Sequence, residues 1–204
     1  FYTNMGIDPV GIARAFLLNI QGKGVQGGSS ITVQLVKNIL ISEEERYQIS
    51  YARKIKEAIL ALEISRLHSK DEILEWYLNT NYYGNWAIGV EAAAQVYYGK
   101  HAQEMTLAEC AMLAPIVQYP AMNPIDNPDQ AKERQAIALR RLVEEGYITR
   151  TEADAAYAEN LQIRTSMLKR YDLVAPHFGV YVVKQLEDKY SADVLYRGGL
   201  KVYT

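Results

Sequence analysis

A single cysteine, Cys110, stands in 204 residues, so the chain can close no internal disulfide, build no cysteine-rich metal site and run no thiol redox pair. No stretch approaches the ~18 uninterrupted apolar residues of a membrane-spanning helix. The sequence begins at Phe1 without an initiating Met and is expected to be a segment of something longer, so the lack of a basic-then-apolar leader excludes nothing. Basic excess is absent as well. The 22 Lys and Arg against 24 Asp and Glu leave a net charge of −2, which argues against a nucleic-acid partner. His68, His101 and His177 are scattered without zinc spacing, so no metal ligands are assigned. The Gly-x-Ser-x-Gly elbow of a triad hydrolase does not occur. With only 6 Pro, 13 Gly and 49% hydrophobic residues, disorder is excluded. Tyr supplies 16 of the aromatics against 3 Phe and 2 Trp, and half-buried packing is their first reading.

What is present is unevenly spread. Residues 1–70 are net +3, residues 71–131 net −7 with a single cation, and residues 132–204 net +2. Apolar positions at three- and four-residue steps predict a helix from Pro9 to about Ile20, broken by Gly22, Gly24, Gly27 and Gly28. Ser29 is the expected N-cap of the next helix, with Ile31, Leu35 and Ile39 on its apolar face. A third helix, about Ser50 to Leu67, is expected to bury Ala52, Ile55, Ile59 and Leu62. Further helices are expected at Asp71 to Asn79, at Val90 to Tyr98 with Gly99 as its stop, and at Asp129 to Glu145 ended by Gly146, around an aromatic loop from Thr80 to Gly89. Thr106 with Glu109, and Thr149 with Glu152, have capping-box spacing. A last helix, about Pro176 to Lys189, leads to Val194–Thr204, which reads as a hairpin or strand.

Two stretches carry chemistry. In Gly27-Gly28-Ser29-Ser30-Ile31-Thr32-Val33-Gln34-Leu35-Val36-Lys37, glycines precede a helix N-terminus, where unpartnered N–H groups and the helix dipole favour an anion. Ser30, Gln34 and Lys37 share one helix face. No Gly-Lys-Ser/Thr closes the loop, so it is not a nucleotide P-loop, and an ordinary flexible turn stays open as an alternative. In Arg53-Lys54-Ile55-Lys56-Glu57, Arg53 and Glu57 are helical neighbours in the order less favourable to helix stability. Glu57 is either a surface ion-pair partner or a carboxylate tuned by nearby cations. Arg46 adds another positive group upstream, behind Glu43, Glu44 and Glu45, which read as a solvated turn.

Taken in order, FYTNMGID at 1–8, GGSSITVQLVKN at 27–38, RKIKEAILALEIS at 53–65, KDEILEWYLNTNYYG at 70–84, GVEAAAQVYYGK at 89–100 and LAECAMLAPIVQYPAMNP at 107–124 closely resemble a known family. It is the peptidoglycan glycosyltransferase domain of class A penicillin-binding proteins, glycosyltransferase family 51. The resemblance implies a mainly α, lysozyme-like domain over 1–160, and at 161–204 a helix-then-strand linker toward a transpeptidase domain absent here. It implies polymerisation of lipid II at the outer face of the bacterial cytoplasmic membrane. There a sugar 4-hydroxyl attacks a lipid-pyrophosphate-linked donor with inversion.

Carried over position by position, Ser29, Ser30, Gln34 and Lys37 would hold the donor's pyrophosphate and sugar. Arg53, Lys56 and Glu57 match the next motif, whose Glu is one of two essential carboxylates. Arg46 matches a further phosphate-binding Arg. No cofactor is required, and a divalent cation at the pyrophosphate is compatible with the reading. The implied partners are lipid II, the nascent glycan strand, the membrane surface and the transpeptidase domain.

Four departures stand out. The family's general-base Glu is expected just upstream of Phe1, so the segment alone is expected not to polymerise lipid II. Asn4 replaces a usual His, and Ser30 and Val33 replace a usual Thr and Gln. A lysozyme-like hydrolase and a non-catalytic module binding a membrane anion or the cell wall remain the alternatives.

Overall fold

A computed structural model of the chain describes residues 1–11, 14, 21, 28–46, 50–164, 178, 181–182, 185–186 and 189–190. The chain divides into two compact units, Phe1–Arg164 and Thr165–Thr204. In the second unit the described residues at 178, 181–182 and 185–186 are helical, and the amides of Lys189 and Tyr190 both reach the Leu186 carbonyl. The hairpin or strand expected at Val194–Thr204 lies outside the described residues.

The first unit is helical, with no strand among its described residues. Residues 9–11 and 14 are helical, as expected from Pro9, and the rest of that first helix lies outside the described residues. The bounded helices that follow are α1 (Ile31–Ile39), α2 (Glu43–Arg46), α3 (Tyr51–Leu67), α4 (Lys70–Thr80), α5 (Val90–Tyr97), α6 (Leu107–Leu113), α7 (Pro128–Glu144) and α8 (Arg150–Ala158). Short 3₁₀ turns at Ala102–Glu104 and Ala114–Val117 flank α6.

Local chemistry sets the boundaries. The Thr106/Glu109 and Thr149/Glu152 capping boxes form on α6 and α8, and a further box, Ser69/Glu72, opens α4. Gly99 and Gly146, at φ +73° and +76°, follow α5 and α7 in the left-handed conformation that glycine adopts freely. The cap of α1 lies one residue later than expected. Ser30, not Ser29, is the cap: its backbone is extended and its side chain accepts from the Val33 amide, so the helix starts at Ile31.

Among the described residues, an apolar cluster forms in each half of the unit's chain. Val33 and Val36 of α1 meet Ile41, Ala61 of α3 and the flanking Ile7, Leu60 and Ile64. Ala108 and Ala111 of α6 meet Leu139 of α7 and Ala153 and Ala156 of α8. At the end of the unit, the Arg164 amide bonds the Tyr97 carbonyl at 2.9 Å and ties the chain back onto α5.

Both expected apolar faces near the N-terminus are rotated. On α1 the buried residues are Thr32, Val33, Leu35 and Val36, while Ile39 is exposed, because this helix packs against both α3 and α4. On α3 the expected stripe of Ala52, Ile55, Ile59 and Leu62 faces outward. The inward face instead runs through Arg53, Glu57, Leu60, Ala61 and Ile64. Charged groups occupy the buried side here because they neutralise one another, an arrangement that apolar periodicity does not register.

Candidate active site

The centre of the site is a carboxylate with no exposed surface. Glu57 lies one turn beyond Arg53 and three residues beyond Lys54 on α3, so both cations reach it. Arg53 Nη1 donates to Glu57 Oε1 at 2.7 Å and Lys54 Nζ to Glu57 Oε2 at 2.7 Å. Arg53 is 13% exposed and Lys54 51% exposed, so one cation is held with the carboxylate while the other bridges it to solvent. A buried carboxylate is tolerable only when paired and hydrogen-bonded, and both of these oxygens are. The surface ion pair that spacing left open is therefore set aside: this pair is interior.

Arg46 extends the cluster. Its Nη2 donates to the Asn38 and Ile41 carbonyls at 3.0 and 3.2 Å, satisfying acceptors at the C-terminal end of α1. Its own carbonyl accepts from Arg53 Nη1 at 3.2 Å. The Nε atoms of Arg46 and Arg53 are buried without a hydrogen-bond partner among the described residues, so the cluster keeps unused donor capacity. The solvated turn expected at Glu43, Glu44 and Glu45 takes the form of a short helical turn, α2, over Glu43–Arg46. Glu45 on this turn pairs with Lys56 at 2.8 Å, both about half exposed. The structure thus joins Arg46, Arg53 and Glu57 and sets Lys56 apart on another partner.

The second part of the site is α1 itself. The Ser30 hydroxyl accepts from Val33 N and donates to the Gly6 carbonyl, pinning the first segment of the chain to the helix start. Gly6 sits at φ +102° with its α-carbon so close to α3 that a Cβ would lie 2.4 Å from the Ala61 carbonyl oxygen. Its amide donates to Asn4 Oδ1, which also accepts from Lys70 Nζ. Gln34 is held at both ends: Nε2 donates to the Ser29 carbonyl and Oε1 accepts from the Tyr77 hydroxyl at 3.1 Å. Burial pushes the Tyr77 phenol above its ordinary value, so it stays a donor. Four residues on, Asn38 Nδ2 donates to Asn81 Oδ1 at 2.9 Å, so α1 and α4 run side by side in the same direction. Lys37, in the last turn of α1, has no ion-pair or hydrogen-bond partner among the described residues. It lies about 10 Å of helical rise from Ser30.

With this geometry in place, three comparisons with known proteins converge. The sequence model described as transglycosylase matches residues 1–143.

The chain belongs to the transglycosylase family.

Penicillin-binding protein 1A of Aquifex aeolicus is 42% identical over 206 residues, covering 100% of this chain and 27% of that protein. Its counterpart in Neisseria flavescens is 43% identical over 206 residues, covering 100% of this chain and 25% of that protein. The chain therefore spans about a quarter of the length of these curated relatives. The crystal structure of penicillin-binding protein 1A from Haemophilus influenzae superposes with a TM-score of 0.52 at 26% identity, covering 81% of this chain and 20% of that one. The helical first unit is thus the lysozyme-like fold of a transglycosylase domain, as the resemblance implied.

Within this transglycosylase domain, sequence reading missed Lys54 and Tyr77. Lys54 was detectable, because it stands three residues before Glu57 on the same helix. Tyr77 was not, since its partner Gln34 is 43 positions away. No helix among the described residues is long and apolar enough to cross a membrane.

Proposed function

We propose that the domain polymerises peptidoglycan glycan strands from lipid II, transferring a sugar from an undecaprenyl-pyrophosphate-linked donor to the 4-hydroxyl of an acceptor sugar with inversion. The observation that carries this reading is the buried Glu57 with a cation on each oxygen, set beside a helix whose polar face ends in Lys37, which has no partner among the described residues. Pyrophosphate departure builds negative charge that must be met by preorganised positive groups. Lys37 and the α1 N-terminus supply such groups directly. Arg46, Arg53 and Lys54 are steadied by backbone carbonyls and by Glu57, so they hold position despite their mutual repulsion.

Both Glu57 oxygens are engaged, so Glu57 positions these cations and a different carboxylate takes the acceptor proton. A divalent cation riding on the pyrophosphate is compatible with this set of groups. The reading places the domain at the extracytoplasmic face of the bacterial cytoplasmic membrane. Its partners there are the membrane surface, lipid II, the growing strand and a transpeptidase domain.

The test uses the protein as encoded, with fluorescent lipid II as donor. Long glycan products are expected. Lys37→Ala removes a charge-assisted contact of about 1.5–3 kcal/mol, lowering donor kcat/KM about tenfold or more without a fall in melting temperature. Shortening of preformed glycan in place of polymerisation would make the domain a hydrolase, and unchanged donor use by Lys37→Ala would remove the phosphate cradle.

A further inference from the structure

The loop between α4 and α5 carries a strained, outward-facing tryptophan that the catalytic cluster does not use. Gly84, Asn85 and Trp86 all have positive φ, at +80°, +49° and +60°. For a bulky residue such as Trp86 that conformation is an outlier which persists only when its surroundings impose it. The imposing network is visible. Asn85 Nδ2 donates to Asn123 Oδ1 at 3.0 Å and to the Tyr97 hydroxyl at 3.3 Å, and that hydroxyl donates to the Tyr83 carbonyl at 2.6 Å. Tyr83, Ala87, Tyr97 and Asn123 are all buried, and an isolated antiparallel bridge joins Tyr82 to Ile88 across the base of the loop.

The product of all this fixing is exposure. Trp86 is 82% exposed, with Tyr82 and Ile88 also out in solvent beside it. The Tyr82 hydroxyl accepts from the Trp86 amide at 3.4 Å, which leaves the phenolic proton available to a ligand.

Two facts narrow the ligand. First, residues 71–99 contain no Lys or Arg and four carboxylates, Asp71, Glu72, Glu75 and Glu91. This stretch of chain offers an anionic membrane surface or a phosphate no positive charge of its own. A sugar ring needs none: its carbon-bound hydrogens stack on an aromatic face, and its hydroxyls bond neutral groups such as a tyrosine. Second, the loop leaves α4 directly after Asn81, the residue bonded to Asn38 of α1, and Asn38 immediately follows Lys37. The loop therefore starts beside the last turn of α1, which carries Lys37.

We infer that Trp86, with Tyr82, is a stacking platform for a hexopyranose unit of a glycan strand, separate from the groups that bind the pyrophosphate. This rests on the proposed function for the identity of the strand.

The test exploits the strain. Gly adopts a positive φ freely, so Trp86→Gly removes the platform while relieving the backbone. Its melting temperature should stay within about 4 °C of the parent's. With the tetramer of N-acetylglucosamine as probe, calorimetric titration of the protein as encoded should show binding weakened about tenfold or more in Trp86→Gly and largely restored in Trp86→Phe. Tryptophan fluorescence should shift on binding in the parent. In Trp86→Gly only Trp76, which packs edge-on against His68, remains to report. Equal binding by Trp86→Gly, no binding by the parent at millimolar tetramer, or a Trp86 shift with phosphatidylcholine vesicles but none with the tetramer would each overturn the platform. Lipid II consumption separates the two readings. A parent that binds the tetramer through Trp86 but consumes no lipid II refutes the polymerase and keeps the platform, and normal polymerisation without binding does the reverse.

Discussion

Replacing Glu57 by Gln preserves shape and removes one charge, which makes it the sharpest probe of the cluster on α3. In the parent each carboxylate oxygen receives a cation at 2.7 Å. In the amide one end becomes a donor facing a donor, so one charge-assisted hydrogen bond is lost, about 1.5–3 kcal/mol. Breaking a fully buried pair costs about 3–5 kcal/mol. Here Lys54 is half exposed and can turn to water, and Arg53 retains the Arg46 carbonyl, so the lower range applies. A loss of about 2–3 kcal/mol corresponds to a melting temperature lower by roughly 4–12 °C.

If Glu57 steadies the cations that meet the departing pyrophosphate, activity should fall far more than the folded fraction does. At a temperature where both proteins are fully folded, polymerisation of fluorescent lipid II should drop by about 10²-fold or more, the scale of losing a preorganised electrostatic contact. The paired measurement is urea denaturation followed by circular dichroism. A variant that loses the expected stability yet polymerises at the parental rate per folded molecule refutes the catalytic part of the reasoning and leaves Glu57 a structural ion.

Lys54→Ala should reduce polymerisation markedly, whereas Lys56→Ala, which loses only its exposed pair with Glu45, should cost less than about 1 kcal/mol in urea denaturation and leave activity near parental. Gly84→Ala would place a Cβ 2.7 Å from the Pro120 carbonyl oxygen in a left-handed conformation, so thermal unfolding should show a loss of about 2 kcal/mol or more. Burial raises the Tyr83, Tyr97 and Tyr98 phenols, Tyr97 to about 12. Groups whose folded value is raised contribute stability that is complete below the unfolded value near 10 and is lost as pH climbs through the folded one. Denaturation monitored by tyrosinate absorbance should therefore show alkaline destabilisation setting in above about pH 10 and reduced in Tyr97→Phe.

Signals confined to one turn of helix were legible in the sequence. The Thr106/Glu109 and Thr149/Glu152 boxes and the glycine stops at 99 and 146 need only their own neighbours, and the Arg53–Glu57 pair follows from helical spacing. What was not legible depends on partners far along the chain. The inward face of α3 could not be read from apolar period, because Arg53 and Glu57 lie on it and Ile55 and Ile59 do not. Arg46 reads as a free cation in the sequence, yet its guanidinium is committed to two carbonyls at the end of α1. Ser29 and Ser30 are both good caps, and the choice between them is made by Gly6, 24 positions before Ser30, whose carbonyl takes the Ser30 hydroxyl.

That last bond limits what Ser30 can offer. A hydroxyl has one proton to give, and this one is given to Gly6. An incoming anion at the start of α1 must then either be met by main-chain amides, with Ser30 a spectator, or outbid the Gly6 carbonyl and free residues 1–7 from the helix. In the second case occupancy of the turn and the hold on the first segment exclude each other, and the serine acts as a single-proton switch between them.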